Sequence, residues 1–410
     1  MSKLDELINE LCPDGVEYYS LENCCDYVDY RGKTPNKKDS GIFLITAKNI
    51  RQGYIDYESS KEYVSPEDYD EVMHRGLPQI GDVLFTTEAP CGYVAQIDRE
   101  DVALAQRVIK FRGHKNLLNN TFLKYVLLGN EFQKELHKIS TGATVEGIKG
   151  SRLHKMEIPV PPLEIQNEIV QTLDKFTSLE AELEAELEAR RKQYEYYRDS
   201  LLTFGDDVEW KTLGELFEFK NGLNKEKDAF GKGKTIVNFT DVYNKRWLTK
   251  ERLHGLVDVN GEEQKRYSAK KGDVFFTRTS ETKEDVGMAS VLLEDIEGCV
   301  FSGFVLRARP LTDLFIPKFY SYYFSTPQVR RIIVKYASFT TRALTSGPRL
   351  AKIKIPLISK EEQERIVSIL DRFESLCNDI TSGLPAEIEA RHKQYEYYRD
   401  TLLTFKRKGV

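Results

Sequence analysis

The chain contains the same helix twice. Residues 188–204 read EARRKQYEYYRDSLLTF and residues 389–405 read EARHKQYEYYRDTLLTF, identical at 15 of 17 positions. A segment duplicated 201 residues apart requires two equivalent structural units, each closing on the same helix. The duplication extends upstream. Residues 158–179 (IPVPPLEIQNEIVQTLDKFTSL) match 355–376 (IPLISKEEQERIVSILDRFESL) at an offset of 197, so the second copy gains four residues near Ser382-Gly383-Leu384-Pro385.

Apolar residues in both blocks recur at steps of three and four, from Ile165, Ile169 and Leu173 to Leu201 and from Ile366 and Leu370 through Ile380 to Leu402. That period predicts two long amphipathic helices of roughly 40 residues, about 60 Å each. Pro161 and Pro162 suit the start of the first helix, and Ser359-x-x-Glu362 fits a capping box before the second. Gly383 and Pro385 should kink or unwind the second helix, and a four-residue insertion shifts a coiled-coil seam. The acidic run Glu180–Glu188 reads as a solvated face around Leu183 and Leu187. The two helices are expected to pack on each other, with a globular domain at each end.

The globular halves are more divergent copies. Gly81-Asp82-Val83-Leu84-Phe85-Thr86 matches Gly272-Asp273-Val274-Phe275-Phe276-Thr277, and Ile45–Ile50 sits where Val237–Val242 sits. Short β-branched and aromatic runs between Gly, Asn and Asp turns predict mixed α/β domains rich in strands. The fold expectation is therefore mixed α/β (α+β): two globular domains separated by two long antiparallel coiled-coil-like helices, with a pseudo-twofold internal repeat.

Several chemistries are missing. There is no Asn/Asp-Pro-Pro-Tyr/Phe motif of the kind an amino-methyltransferase needs to hold its target base, and no G-x-G-x-x-G follows a strand. Gly231-Lys232-Gly233-Lys234-Thr235 imitates the end of a P-loop, but Asp228 stands where the first glycine belongs and the next residues read as a strand. The 6 histidines form no ligand-spaced pair, so no metal site is expected. Asp82 and Asp273 read as turn residues. The 6 cysteines have no C-x-x-C spacing and the N-terminal residues do not resemble a leader, so a reduced, cytoplasmic protein is expected.

The net charge of −5 arises from 60 basic and 65 acidic residues, which argues against a simple polyanion binder. The charge is unevenly placed, however: residues 161–210 carry −8 and residues 211–358 carry +9. Residues 314–360 contain no Asp or Glu, yet hold nine Lys and Arg with interleaved tyrosines. Phosphates require cations, and base edges require Arg, Lys, Asn, Gln, Ser and Thr. The loops Ser140–Arg152 and Ser338–Arg349 offer these types, as do the polar positions after the matched strands. The candidate DNA-facing set is Lys48, Asn49, Thr86, Thr87, Thr144, Lys149 and Arg152 in the first half. In the second half it is Asn238, Thr277, Arg278, Thr279, Thr341, Arg342 and Arg349.

The tandem layout, the I-P-x-P-P-L-E-x-Q-N-x-I helix start, the paired long helices and the Q-Y-x-Y-Y-R-D-x-L-L-T-F ends resemble the specificity subunit of a type I restriction-modification system. The resemblance spans essentially the full chain. It implies a non-catalytic DNA-recognition subunit with target recognition domains at 1–160 and 206–357. The spacer helices would occupy 161–205 and 358–410. Each domain would read one half of a bipartite asymmetric site. The helices would set the spacing and dock two methylation subunits, with Tyr194, Tyr197, Tyr395 and Tyr398 as docking positions. Restriction subunits are optional further partners, and S-adenosylmethionine would belong to the methylation subunit, leaving no cofactor here. The rival readings are a bifunctional enzyme and a tandem interaction scaffold without a DNA role.

Overall fold

In a computed structural model, residues 3–30, 35–142, 146–339, 341–379 and 381–409 are described. The expected positions Thr144 and Ile380 lie outside them. The chain divides into two compact units: residues 1–184 with 387–410, and residues 185–386.

Each unit is built on the same strands. In the first, an antiparallel sheet runs in the order Cys25–Asp29, Val108–Gly113, Val83–Thr87, Cys91–Gln96. A second sheet has Ile42–Ile45 between Tyr63–Val64 and Val102–Leu104, the last pairing parallel. The second unit repeats the pattern. Its main sheet runs Phe217–Asn221, Val305–Pro310, Val274–Thr277, Ala289–Leu292, Trp247–Leu248. Its smaller sheet places Phe230–Val237 between Leu256–Val257 and Val300–Phe301. The strand Phe230–Val237 holds the Gly231–Thr235 stretch, so those amides belong to a sheet region rather than to a helix-opening phosphate loop.

The central strands are covered on both faces, so they are apolar apart from threonines at their ends. Every residue of Val83–Thr87 and of Val274–Thr277 is buried. The turns leading into them need left-handed backbone, which Gly81 (φ 89°) and Gly272 (φ 88°) supply without a Cβ clash. The aspartates that follow hold those turns shut. Asp82 is 1% exposed, accepts from the Gln79 N–H at 2.9 Å and takes a two-pronged bond from Arg112 at 2.6 and 2.7 Å. Asp273 does the same with Lys270 N–H and Arg309.

The long helix Leu163–Leu201 has 39 residues. Its start is locked by Gln166, fully buried, which accepts from Asn119 N–H and donates to the Leu117 and Pro161 carbonyls at 2.7–2.8 Å. Gln363 repeats this with Ile316, Leu314 and Ile358 at the start of the helix Lys360–Asn378. A buried amide with both ends satisfied fixes direction as well as position. Ile165, Ile169 and Leu173, all 0% exposed, pack on the first globular core, and Ile366 and Leu370 pack on the second. Burying a side chain of this size contributes about 1.5–3 kcal/mol.

The second helical block is interrupted, not merely kinked. Lys360–Asn378 ends, and Leu384–Leu402 begins after a turn. The Asp379 carboxylate accepts from Thr381 N–H, Thr381 Oγ1 and Ser382 Oγ at 2.5–2.8 Å, which holds its acid pKa down at about 2. A Cβ at Gly383 would lie 2.6–2.8 Å from three backbone oxygens, so the chain can approach that closely only as glycine. Within each unit the helical segments run antiparallel. In the first, Phe176 stacks on Tyr398 at 5.1 Å while Glu180 meets His392 at 2.7 Å. In the second, Tyr197 stacks on Phe373 at 5.4 Å.

Candidate nucleic-acid interface

In the second unit the sheet-end loops converge on one surface. The strand Val274–Thr277 continues through Arg278 into the short strand Thr279–Ser280. That strand pairs with Ala343–Leu344, which in turn pairs with Ser338–Phe339. The acid-free loop is thus a hairpin, and Thr341 and Arg342 lie exposed near its tip. A cleft of about 440 Å³ lies beside it, lined by Thr279, Ser280, Glu281, Asp285, Phe304 and Arg342 with the stacked pair Phe239 and Tyr243. Phe304 is 67% exposed. Hydroxyls, carboxylates, one guanidinium and apolar rings on one surface can meet the donors, acceptors and methyl groups of a major groove.

The first unit has the corresponding frame. Gly147 bridges both Glu88 and Thr141. Thr87 N–H donates to Arg107 O at 3.0 Å and Ile148 N–H donates to Thr87 O at 2.9 Å. The matching bonds in the second unit are Arg278 N–H to Phe304 O and Thr345 N–H to Arg278 O, at 3.2 and 2.9 Å. The frame is the same, but its exposed tip is not. Arg107, at φ 73° and ion-paired with Glu88 at 2.8 Å, stands where the second unit has Phe304. Sequence reasoning missed both tips; the offset of 197, carried upstream, pairs them.

Several expected contacts are interior residues. Asn49 is 0% exposed, and its amide serves Thr46 N–H and the Asp56 and Ser60 carbonyls. Asn238 is half-buried, and its N–H donates to Asp241 at the start of a short helix. Thr86 and Thr277 are fully buried, and each hydroxyl accepts a facing-strand N–H at 2.9 Å, from Tyr93 and Met288. Thr87, 3% exposed, donates to Arg107 O. The polar groups of these residues are already used within the unit, and all but Asn238 are covered. Arg278 is half-buried and donates to Gly303 O at 2.9 Å, bracing the turn beneath Phe304. Thr279 is part of the cleft. Lys48, Lys149, Arg152 and Arg349 are exposed. Arg152 and Arg349 each donate to the last-turn carbonyl of a neighbouring helix, Ile139 and Tyr336, at 3.0 and 3.1 Å.

The tyrosines divide by face. Tyr194 and Tyr395 are 8% exposed. Tyr194 accepts from Arg246 at 2.7 Å, and burial pushes the Tyr395 hydroxyl up to about 12. Both belong to the cores. Tyr197 and Tyr398 are 40% and 38% exposed, and one face of each is stacked on Phe373 or Phe176. The open rings are Tyr196 and Tyr397, at 70% and 67%. They were overlooked because they lie off the apolar stripe, on the opposite helix face.

The profile of the type I restriction modification DNA specificity domain matches residues 13–189 and 205–390. The chain belongs to that family. It is 35% identical to the EcoR124I/EcoR124II specificity subunit of Escherichia coli over 70% of this chain and 72% of that one. It is 32% identical to a type I restriction enzyme specificity subunit of Haemophilus influenzae, over 71% and 74%. A solved structure from a study of type I R-M complex assembly and conformational transition covers 97% of this chain and 99% of its own, with a TM-score of 0.62 and 17% identity. The HsdS subunit from Thermoanaerobacter tengcongensis covers 96% of each chain with a TM-score of 0.53 and 18% identity, and shares the fold. As a type I specificity subunit the chain is non-catalytic. Among the described residues no three His, Cys, Asp or Glu side chains gather as a metal cluster, and no helix is long and apolar enough to cross a membrane.

Proposed function

We propose that this specificity subunit reads a bipartite, asymmetric DNA site. Residues 1–160 serve one half-site and residues 206–357 the other, and the helices fix the unread spacer. One observation carries the reading: matching backbone hydrogen bonds hold different tips, Arg107 with Glu88 in one unit and Phe304 with Arg342 in the other. A symmetric dimer has two identical readers and is suited to palindromes; two unlike readers on one scaffold are suited to unlike half-sites. Lys48, Lys149 and Thr341 add exposed donors, and Thr144 remains a candidate from sequence alone.

The repeated helix ends carry the other role. Tyr196 with the Lys192–Glu188 pair, and Tyr397 with the Lys393–Glu389 pair, are matched exposed surfaces. Two like surfaces fit two copies of one methylation subunit, which would bring S-adenosylmethionine to a complex acting in the cytoplasm. Restriction subunits are optional further members of such a complex. Co-expression with the neighbouring methylation subunit, followed by genome-wide mapping of modified adenines, tests the reading. A split motif with two unlike halves is expected; methylation without a sequence motif, or complex formation without DNA binding, would favour the interaction scaffold.

A further inference from the structure

The acid-free stretch 314–360 holds nine cations, and the structure sorts them. Lys318 and Lys360 pair with Asp371 and Asp313 at 3.1 and 3.2 Å. Arg330 is spent on the Gly287, Glu284 and Val286 carbonyls at 2.5–2.8 Å. Arg342 belongs to the cleft already described. The remaining five, Arg331, Lys335, Arg349, Lys352 and Lys354, are all exposed. Among the described residues none of them forms an ion pair. Arg331 and Lys335 share one face of the helix Pro327–Tyr336. Arg349 reaches the end of that helix at Tyr336 O, and Lys352 follows one turn later. Glu215 feels Lys354 electrostatically, but its main partners are the Thr212 hydroxyl and N–H.

The corresponding face of the first unit is a groove of about 1050 Å³. There Lys134, Lys138, Arg152 and Lys155 line the groove together with Glu131, Glu135 and Glu157. Lys138 pairs with Glu135 at 2.5 Å, and Glu157 with Arg407 at 2.8 Å. At the offset of 197 the three acids become Gln328, Ile332 and Lys354 in the second unit. One scaffold face is therefore charge-balanced in the first unit, while in the second its three acids are gone and Glu215, held by Thr212, is the acid that Lys354 meets.

We infer that this face of the second unit, Arg331, Lys335, Arg349, Lys352 and Lys354, is a DNA phosphate track, and that the second target recognition domain supplies most of the sequence-independent grip. The occupant is polyanionic because five unpaired cations repel one another unless a polyanion neutralises them. It is the duplex because Arg349 is anchored where the hairpin Ser338–Leu344 begins, so a duplex read by that hairpin can continue over the track. The inference rests on the DNA-recognition reading above.

The test uses the full chain assembled with its methylation subunit. Binding to matched and unmatched duplexes is measured across a salt series for the triple variant R331Q/K335Q/K352Q and for its first-unit counterpart K134Q/K138Q/K155Q. Each phosphate contact contributes about 0.9 to the slope of log K against log salt. The second-unit variant should flatten the slope by about two to three units and weaken both duplexes alike, with thermal melting and subunit co-purification unchanged. The first-unit variant should change the slope by less than about one unit. An unchanged slope in the second-unit variant, equal changes in both variants, or a loss of subunit assembly with DNA slope intact would overturn the track. A wild-type complex that binds no duplex at any salt would instead overturn the functional reading on which it rests.

Discussion

Arg342→Ala separates base reading from every other role of the second unit. The side chain is exposed near the hairpin tip and, among the described residues, makes no hydrogen bond or ion pair. Its removal should therefore leave folding stability within about 0.5 kcal/mol. A guanidinium that grips a base edge with two donors discriminates by about 1–3 kcal/mol, which corresponds to roughly 5- to 150-fold in affinity. The variant complex should lose that factor at one position of the half-site read by residues 206–357. The half-site read by residues 1–160 should be unaffected. A randomised-duplex binding selection reads this directly, and mapping of methylated adenines in cells reads it independently. A uniform loss over all sequences, with a slope change of about 0.9 in salt dependence, would refute base reading and make Arg342 another phosphate contact.

Asp273→Asn should break the two-pronged pair with Arg309 and remove a nearby charge from the buried Arg307, which keeps Glu218, at a cost of about 3–5 kcal/mol. Calorimetry should show the transition of the second unit falling by roughly 6–20 °C; a drop under about 2 °C would show that the turn, not the ion pair, holds the aspartate. Tyr196→Ala or Tyr397→Ala removes an exposed ring from one of two matched surfaces, so each variant should weaken one methylation subunit by about 30-fold and native mass spectrometry should show the second subunit retained. Loss of both subunits together would point to a shared surface. Deleting Ser382–Pro385 removes the turn that Asp379 ties and should shift the preferred spacer by about one base pair, since four residues span about 6 Å as helix but less as a turn. Altered half-sites with an unchanged spacer would reject the ruler.

Much of the architecture was legible because duplication is visible without any three-dimensional information. The repeat located both helical blocks, the insertion and the matched strands, and Pro161, Ser359 and Gly383 marked where helices begin or break. The site was legible in kind but not in detail. Picking positions that match between the copies selected Asn49, Thr86, Thr87, Asn238 and Thr277, and the structure places them inside or half-inside. Matched polar residues persist in both copies because the shared frame needs their hydrogen bonds. Readers of unlike half-sites need not match. Arg107 and Phe304 share a position and nothing else, so motif matching passed over them.

The sequence by itself determined that two like units exist, where their helices lie and which segment is free of acid. Those properties depend on local periodicity, turn chemistry and charge count, all of which are carried along the chain. Only the tertiary structure decided which cations are spent on carboxylates and carbonyls and which remain open, and which tyrosines of one repeated motif are core and which are surface. Partners such as Asp371 for Lys318, Glu284 for Arg330 and Phe373 for Tyr197 come from distant parts of the chain. A residue's availability to a ligand is set by those partners, and no local pattern records them.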